Sequence, residues 1–213
     1  MKLYQYLHCP YCLRARMTAN YMNVALEYVY LLNDDEATCY QLINAKMVPI
    51  LQFDDGSAMG ESLDIVNKLL ELGDSSKFVS PAKHTDAINQ FLDASRTEYN
   101  RLYFPRNVLV DLPEFATQSA RDYFQHKKEK QIGISFAEAI SQTPDLLDQL
   151  HQTFNVLPAM TLGEQLSMDD ILLYPFLRNL TLVKGINFPV ALKLYIKHIA
   201  ALTNTETFFD LAV

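Results

Sequence analysis

Two cysteines stand three apart in "HCPYC", His8 to Cys12, between an alternating apolar stretch and a helical one. Thiols at this spacing can cycle between dithiol and disulfide, supply half of a metal site, or pack as small apolar side chains. Pro10 suits a first helical position, which puts Cys9 at the N-cap and Cys12 one turn inward. Free N–H groups and the positive end of the helix dipole then stabilise a thiolate at Cys9. Such positions lower a thiol from about 8.5 to roughly 3.5–7.5. Cys9 is therefore the expected nucleophile and Cys12 the expected resolving thiol. A tetrahedral metal site needs four ligands, and Cys39 is isolated, with no second CxxC or HxxxH nearby. No metal is expected. Simple packing is disfavoured because a strand precedes the pair and a helix follows it. Cys39 reads as a part-buried free thiol and His8 as the strand's end, able to ease Cys9 ionisation if protonated. Arg14 and Arg16 read first as a solvated helix face, with help in holding an anionic substrate as the alternative.

The elements that must hold this pair follow from periodicity. "KLYQYLH" alternates Leu3, Gln5 and Leu7 against Tyr4 and Tyr6, and the helix from Pro10 repeats Leu13, Met17 and Tyr21. "ALEYVYLL" is a second strand, and Asp34 or Asp35 caps a helix through "EATCYQLINA". "ILQF", the turn "DDG" and a short return strand make a hairpin. A last helix runs from Ser62 to Gly73 with Ile65, Val66, Leu69 and Leu70 on its apolar side. The order β-α-β-α-β-β-α is that of a thioredoxin-like α/β unit over residues 1–72.

"GDSSKFVSPAKHTD" changes to small, polar, Pro-containing residues and reads as a linker over 73–84. From 85 to 213 only helical periods remain, so an all-α domain is expected. One helix carries Ile88, Phe91, Leu92, Ser95, Tyr99 and Leu102 on a face; another ends in lysines before Gly133. Short helices are expected over Phe136–Ile140, from an N-cap at Thr143 with Pro144 to about Phe154, and over Lys193–Leu202. "LSMDDI" has Ser167 and Asp170 at capping-box spacing, flanked by Leu166 and Ile171 at hydrophobic-staple positions. It should open a buried helix through Leu172, Leu177 and Val183, kinked at Pro175.

Bulk properties exclude several function classes. The chain has 213 residues, 49% of them hydrophobic, with no apolar run approaching the roughly 18 residues of a membrane span. Eighteen Lys and Arg against 25 Asp and Glu give a net charge of −7, which argues against a nucleic-acid partner. Three cysteines suit a reducing compartment better than a disulfide scaffold, and "MKLYQYLHCPYC" lacks the apolar core of a secretion signal, so a cytoplasmic location is expected. No glycine-rich phosphate fingerprint points to a nucleotide.

Taken together, "HCPYCLRAR", "KMVPIL" and "GESLDIV" resemble the glutaredoxins, and within them the large bacterial glutaredoxin 2 type, whose fold is similar to a cytosolic glutathione transferase. The likeness continues through "LLNDDEAT" and "LLYPFLRNLTLVKGINFP". It implies a glutathione-dependent thiol-disulfide oxidoreductase acting through Cys9 and Cys12, with glutathione as cosubstrate, disulfide-containing or glutathionylated proteins as partners, and a monomeric state. It also implies that Pro49 is a cis proline. Val48 would pair by its main chain with the cysteinyl part of glutathione, and Glu61 with Ser62 would take the γ-glutamyl end. Ser62 at a helix start makes physical sense for a carboxylate, and Glu61 for an ammonium, although plain helix capping accounts for the pair as well. Relatives with a catalytic Cys place a Lys on the second helix for the glycyl carboxylate; here Asp34, Asp35 and Glu36 stand there, leaving Lys46 as a candidate. The alternatives are a Cys-type glutathione transferase or dehydroascorbate reductase using Cys9 alone, and a non-catalytic or iron-sulfur-carrying interaction module.

Overall fold

The computed structural model describes residues 1–160 and 162–213. They divide into two units, one of Met1–Val79 with Asp111–Phe124, the other of Ser80–Val110 with Gln125–Val213. In the first, β1 (Lys2–Gln5), α1 (Pro10–Tyr21), β2 (Glu27–Tyr30), α2 (Glu36–Ile43), β3 (Ile50–Gln52), β4 (Ala58–Met59) and α3 (Ser62–Leu72) follow the expected order. The sheet runs β2-β1-β3-β4, with β1 parallel to β2 and antiparallel to β3.

Strand alternation decides which residues meet which helices. Leu3 and its cross-strand partner Leu51 pack with Ala15 and Ala19 of α1 and with Ile65 and Leu69 of α3. Tyr6, Leu31 and Ile50 turn to the other face and pack with Cys39 of α2. Cys39 is fully buried, not part-buried as expected from its place on the helix. Asp35 caps α2 by accepting the Thr38 N–H at 3.0 Å.

The solvated face expected for Arg14 and Arg16 is not there. Both are buried, because α1 is covered along nearly its whole length, from Cys12 to Ala19. The Arg14 guanidinium lies 5.0 Å from the centroid of the Tyr11 ring, so it has an aromatic face in place of water.

The second unit is helical. Its expected first helix is two, α4 (Thr85–Ala94) and α5 (Arg96–Asn107). The break falls at Ser95, whose hydroxyl donates back to the Phe91 carbonyl at 2.7 Å, a local bond that competes with the regular ladder. Tyr99 N–H still donates to Ser95 C=O, so the apolar side Ile88, Phe91, Tyr99, Leu102 stays buried. α6 (Gln118–Ile132) starts in the first unit and ends in the second, stopping before Gly133 at φ +75°. α7 (Phe136–Ser141) and α8 (Thr143–Thr153) follow. Thr143 is the first residue of α8 and not its cap, because its hydroxyl donates to the Ile140 carbonyl at 2.7 Å. α9 (Met168–Leu180) opens with the full reciprocal box of Ser167 and Asp170, and α10 (Val190–Leu202) closes the set. α9 ends three residues before Val183, in a turn that Thr181 N–H and Val183 N–H make with Arg178 and Leu180 carbonyls.

Candidate functional site

β1 delivers the chain to the start of α1. Cys9 has extended backbone angles, φ −76° and ψ 121°, and stands at the N-cap with Pro10 next to it. Its carbonyl accepts from Leu13 N–H at 3.1 Å, while its side chain caps nothing and is part-buried. Cys12 is wholly buried, and its Sγ accepts the Tyr6 N–H at 3.4 Å. All three cysteines are free thiols.

These positions split the two thiols. A hydrogen bond from Cys12 lowers the Cys9 thiol from 9.0 to about 7, helped by the charge of His8 and by the N–H groups of Cys12 and Tyr11, all against the opposing effect of burial. Burial drives Cys12 well above 9.0, and its donation to Cys9 adds to that. One thiol is set up to ionise near neutral pH and the other to keep its proton. Alkylation of Cys9 by iodoacetamide, followed by peptide mass, should therefore rise with pH through a midpoint near 7 and not near 9.0. The same shift stabilises the folded chain fully above the unfolded value of 9.0, and that stabilisation is lost as pH falls through about 7.

His8 does not end the strand as expected: β1 stops at Gln5 and His8 lies in the turn before α1. Its main-chain N–H donates to Glu114 Oε1 at 2.8 Å, and its ring Nδ1 lies 2.5 Å from the same oxygen. The ring stacks on Tyr6 at 5.5 Å and meets Phe115 and Phe124 at 5.1 and 5.2 Å. Glu114 comes from a 3-10 turn, Pro113–Phe115, in the part of the helical sequence that belongs to the first unit. Burial alone would raise its carboxyl, but the hydrogen bonds and charge of His8 outweigh that and hold it below the ordinary value. No local pattern in "LPEF" marks this residue, which lies 106 positions from its partner.

A cleft of about 470 Å³ brings together Tyr11, Arg14, Val48, Pro49, Glu61 and Ser62. The Val48–Pro49 bond is cis. Glu61 has φ +63°, a left-handed conformation uncommon outside glycine, and it takes the N-cap of α3 without a side-chain cap bond. Plain capping therefore does not account for Glu61 and Ser62. The first N–H groups of α3 have no side chain of Glu61 on them, which suits an anion. Lys46 lies elsewhere: its ammonium donates to the Tyr6 hydroxyl at 2.9 Å and to the Asp35 carbonyl at 2.8 Å. Arg14 lines the cleft, where the alternative reading of it as a partner for an anion would place it.

Residues 3–77 match the model of the glutathione S-transferase N-terminal domain, and residues 87–212 match that of the glutaredoxin 2 C-terminal domain. Glutaredoxin 2 of Escherichia coli strain K12 is 38% identical over the full length of both chains. The chain belongs to the glutaredoxin 2 family. Glutaredoxin 2 from Salmonella typhimurium, solved in complex with glutathione, superposes with a TM-score of 0.90 at 36% identity, over 100% of this chain and 98% of that one. A glutathione S-transferase of Ceriporiopsis subvermispora shares the fold at a TM-score of 0.72 and 14% identity, over 95% and 96% of the two chains. The fold is thus a small mixed-sheet N-terminal domain with a helical C-terminal domain, as the resemblance implies. Among the described residues no helix is long and apolar enough to cross a membrane.

Proposed function

We propose that this member of the family is a glutathione-dependent thiol-disulfide oxidoreductase in which Cys9 is the nucleophile and Cys12 the resolving thiol. The observation that carries the assignment of roles is the divided pair: a part-buried Cys9 lowered to about 7 beside a buried Cys12 that keeps its proton. The Cys9 thiolate attacks the glutathione sulfur of a mixed disulfide, the protein thiolate leaves and takes a proton, and Cys9 is left joined to glutathione. A second glutathione thiolate attacks the glutathione sulfur of that adduct, forming glutathione disulfide and restoring the Cys9 thiolate. One free glutathione is consumed per mixed disulfide, the other half of the glutathione disulfide coming from the substrate. With a protein disulfide, Cys9 forms a protein adduct, Cys12 displaces the reduced protein, and the Cys9–Cys12 disulfide is returned to dithiol by two glutathione molecules.

Glutathione would lie in the cleft, with its cysteinyl main chain on Val48 beside Pro49 and its γ-glutamyl end on Glu61 and Ser62. The N-terminal end of α3 suits the carboxylate, and Glu61 suits the ammonium. Proteins carrying disulfides or glutathione adducts are the partners we assign, with a monomer working in the cytoplasm.

The test is reduction of a small glutathione mixed disulfide by glutathione, with glutathione reductase and NADPH recycling the product. Turnover that saturates with glutathione is expected. Absence of turnover, with dehydroascorbate or a transferase substrate consumed instead, would replace this reading by the single-cysteine one.

A further inference from the structure

Glu114 is the most costly side chain near the reactive pair. It is fully buried, its carboxyl is held toward the ionised form, and Oε2 is buried without a hydrogen-bond partner among the described residues. A buried carboxylate with an unsatisfied oxygen destabilises a fold by several kcal/mol unless a partner compensates. Oε1 of Glu114 takes both the main-chain N–H and the ring Nδ1 of His8. Its own carbonyl accepts Asn33 N–H at 2.9 Å, which ties the Pro113–Phe115 turn to the segment after β2.

We propose that Glu114 is a positioning residue for the thiol chemistry of Cys9, acting through His8. An ionised carboxylate only accepts, so the 2.5 Å contact requires Nδ1 to carry a proton. Tyr6, Phe115 and Phe124 fix the ring's plane, and Glu114 fixes its rotation and its proton. The backbone bond fixes the residue immediately before the nucleophile. His8 thereby stands as an oriented Nδ1–H donor, held by two bonds to one carboxylate oxygen, in the turn next to Cys9.

The sign of the effect separates this from a direct one. A carboxylate acting straight on a thiol repels the thiolate, and that is how Glu114 acts on Cys12. Acting through His8 it favours the thiolate of Cys9, because His8 lowers that thiol. The other titratable groups facing the two thiols are Tyr6, just past β1, with Lys46 bonded to its hydroxyl, and Arg14 of α1, whose charge interacts with Cys9. Glu114→Gln replaces none of these side chains, and the repulsion it lifts from Cys12 is the direct effect, of opposite sign.

The proposal rests on Cys9 being the reactive thiol, and the full-length chain is the material for its test. Glu114→Gln keeps an acceptor of the same shape and removes the charge. The pH profile of Cys9 alkylation should move up by about half a unit to one unit, which slows alkylation about three- to tenfold below the midpoint. An unmoved midpoint with a lowered Tm would make Glu114 a structural clasp only, and a midpoint that falls would make it a repelling charge; either overturns the proposal. If Glu114→Gln does not fold, nitrogen NMR of the wild-type chain decides, since His8 must carry its proton on Nδ1 across the neutral range. A bare Nδ1 there overturns the clasp itself. A wild-type Cys9 midpoint near 9.0 would instead sink the nucleophile assignment, while the NMR result on His8 stands apart from it.

Discussion

Replacing Cys9 by Ser should lower reduction of glutathione mixed disulfides by about three orders of magnitude or more, because a serine hydroxyl is not ionised near neutral pH and cannot form the sulfur–sulfur bond. Cys12→Ser should behave differently. Its hydroxyl can still donate the hydrogen bond that is the largest influence lowering the Cys9 thiol, so the thiolate persists. The glutathione adduct of Cys9 is resolved by free glutathione and does not need Cys12. Reduction of mixed disulfides should then stay within about threefold of wild type, and reduction of a protein disulfide should fall steeply, as the protein adduct has lost its internal exit. The coupled assay with both substrates on the three proteins measures all of this. Equal loss in both variants on the mixed disulfide would remove the assigned roles, and undiminished turnover of a protein disulfide by Cys12→Ser would mean that Cys9 works alone.

The contrast between the two cysteines was legible in the sequence because its causes are local. A proline after Cys9 sets the helix start, and three residues of spacing put Cys12 one turn inside. The same holds for the strand alternation of Leu3 and Tyr4, the Asp35 cap and the box at Ser167, all short-range patterns. The burial of Arg14 and Arg16 was not legible. Reading charged residues as a wet face assumes that a helix is covered on one side, and α1 is covered nearly all along. Glu114 was not legible either, since its meaning lies entirely in a contact 106 residues away. Ser95 shows a finer failure: the apolar period continues through it, but a hydroxyl bonding to Phe91 ends one helix and starts the next without disturbing the buried side. Periodicity reports which residues are buried and says little about whether one rod or two carries them.

The second large effect is expected far from the thiols, at Asp170. Its carboxylate accepts from Ser167 N–H at 2.8 Å, from the Ser167 hydroxyl at 2.6 Å and from the Tyr195 hydroxyl at 2.8 Å, and it is buried. It therefore closes the capping box of α9, whose N-cap is Ser167, and joins α10 to it through one group. Asp170→Ala leaves the Ser167 N–H and the Tyr195 hydroxyl without their acceptor in a buried setting, and each such loss costs about 1–3 kcal/mol. The N-cap bond itself, from the residue-170 N–H to the Ser167 hydroxyl, survives the change. A total of about 2–6 kcal/mol should appear as a Tm lowered by roughly 4–24 °C in a chain of this length. Tyr195→Phe removes one arm only and should cost about 1–2 kcal/mol. In the double variant the two losses should not add, because the hydroxyl left stranded by Asp170→Ala is already gone. Additive losses would show that the bond between α9 and α10 carries no stability of its own. The box at Ser167 would then account for the whole effect of Asp170, and chemical denaturation of the four proteins separates the two outcomes.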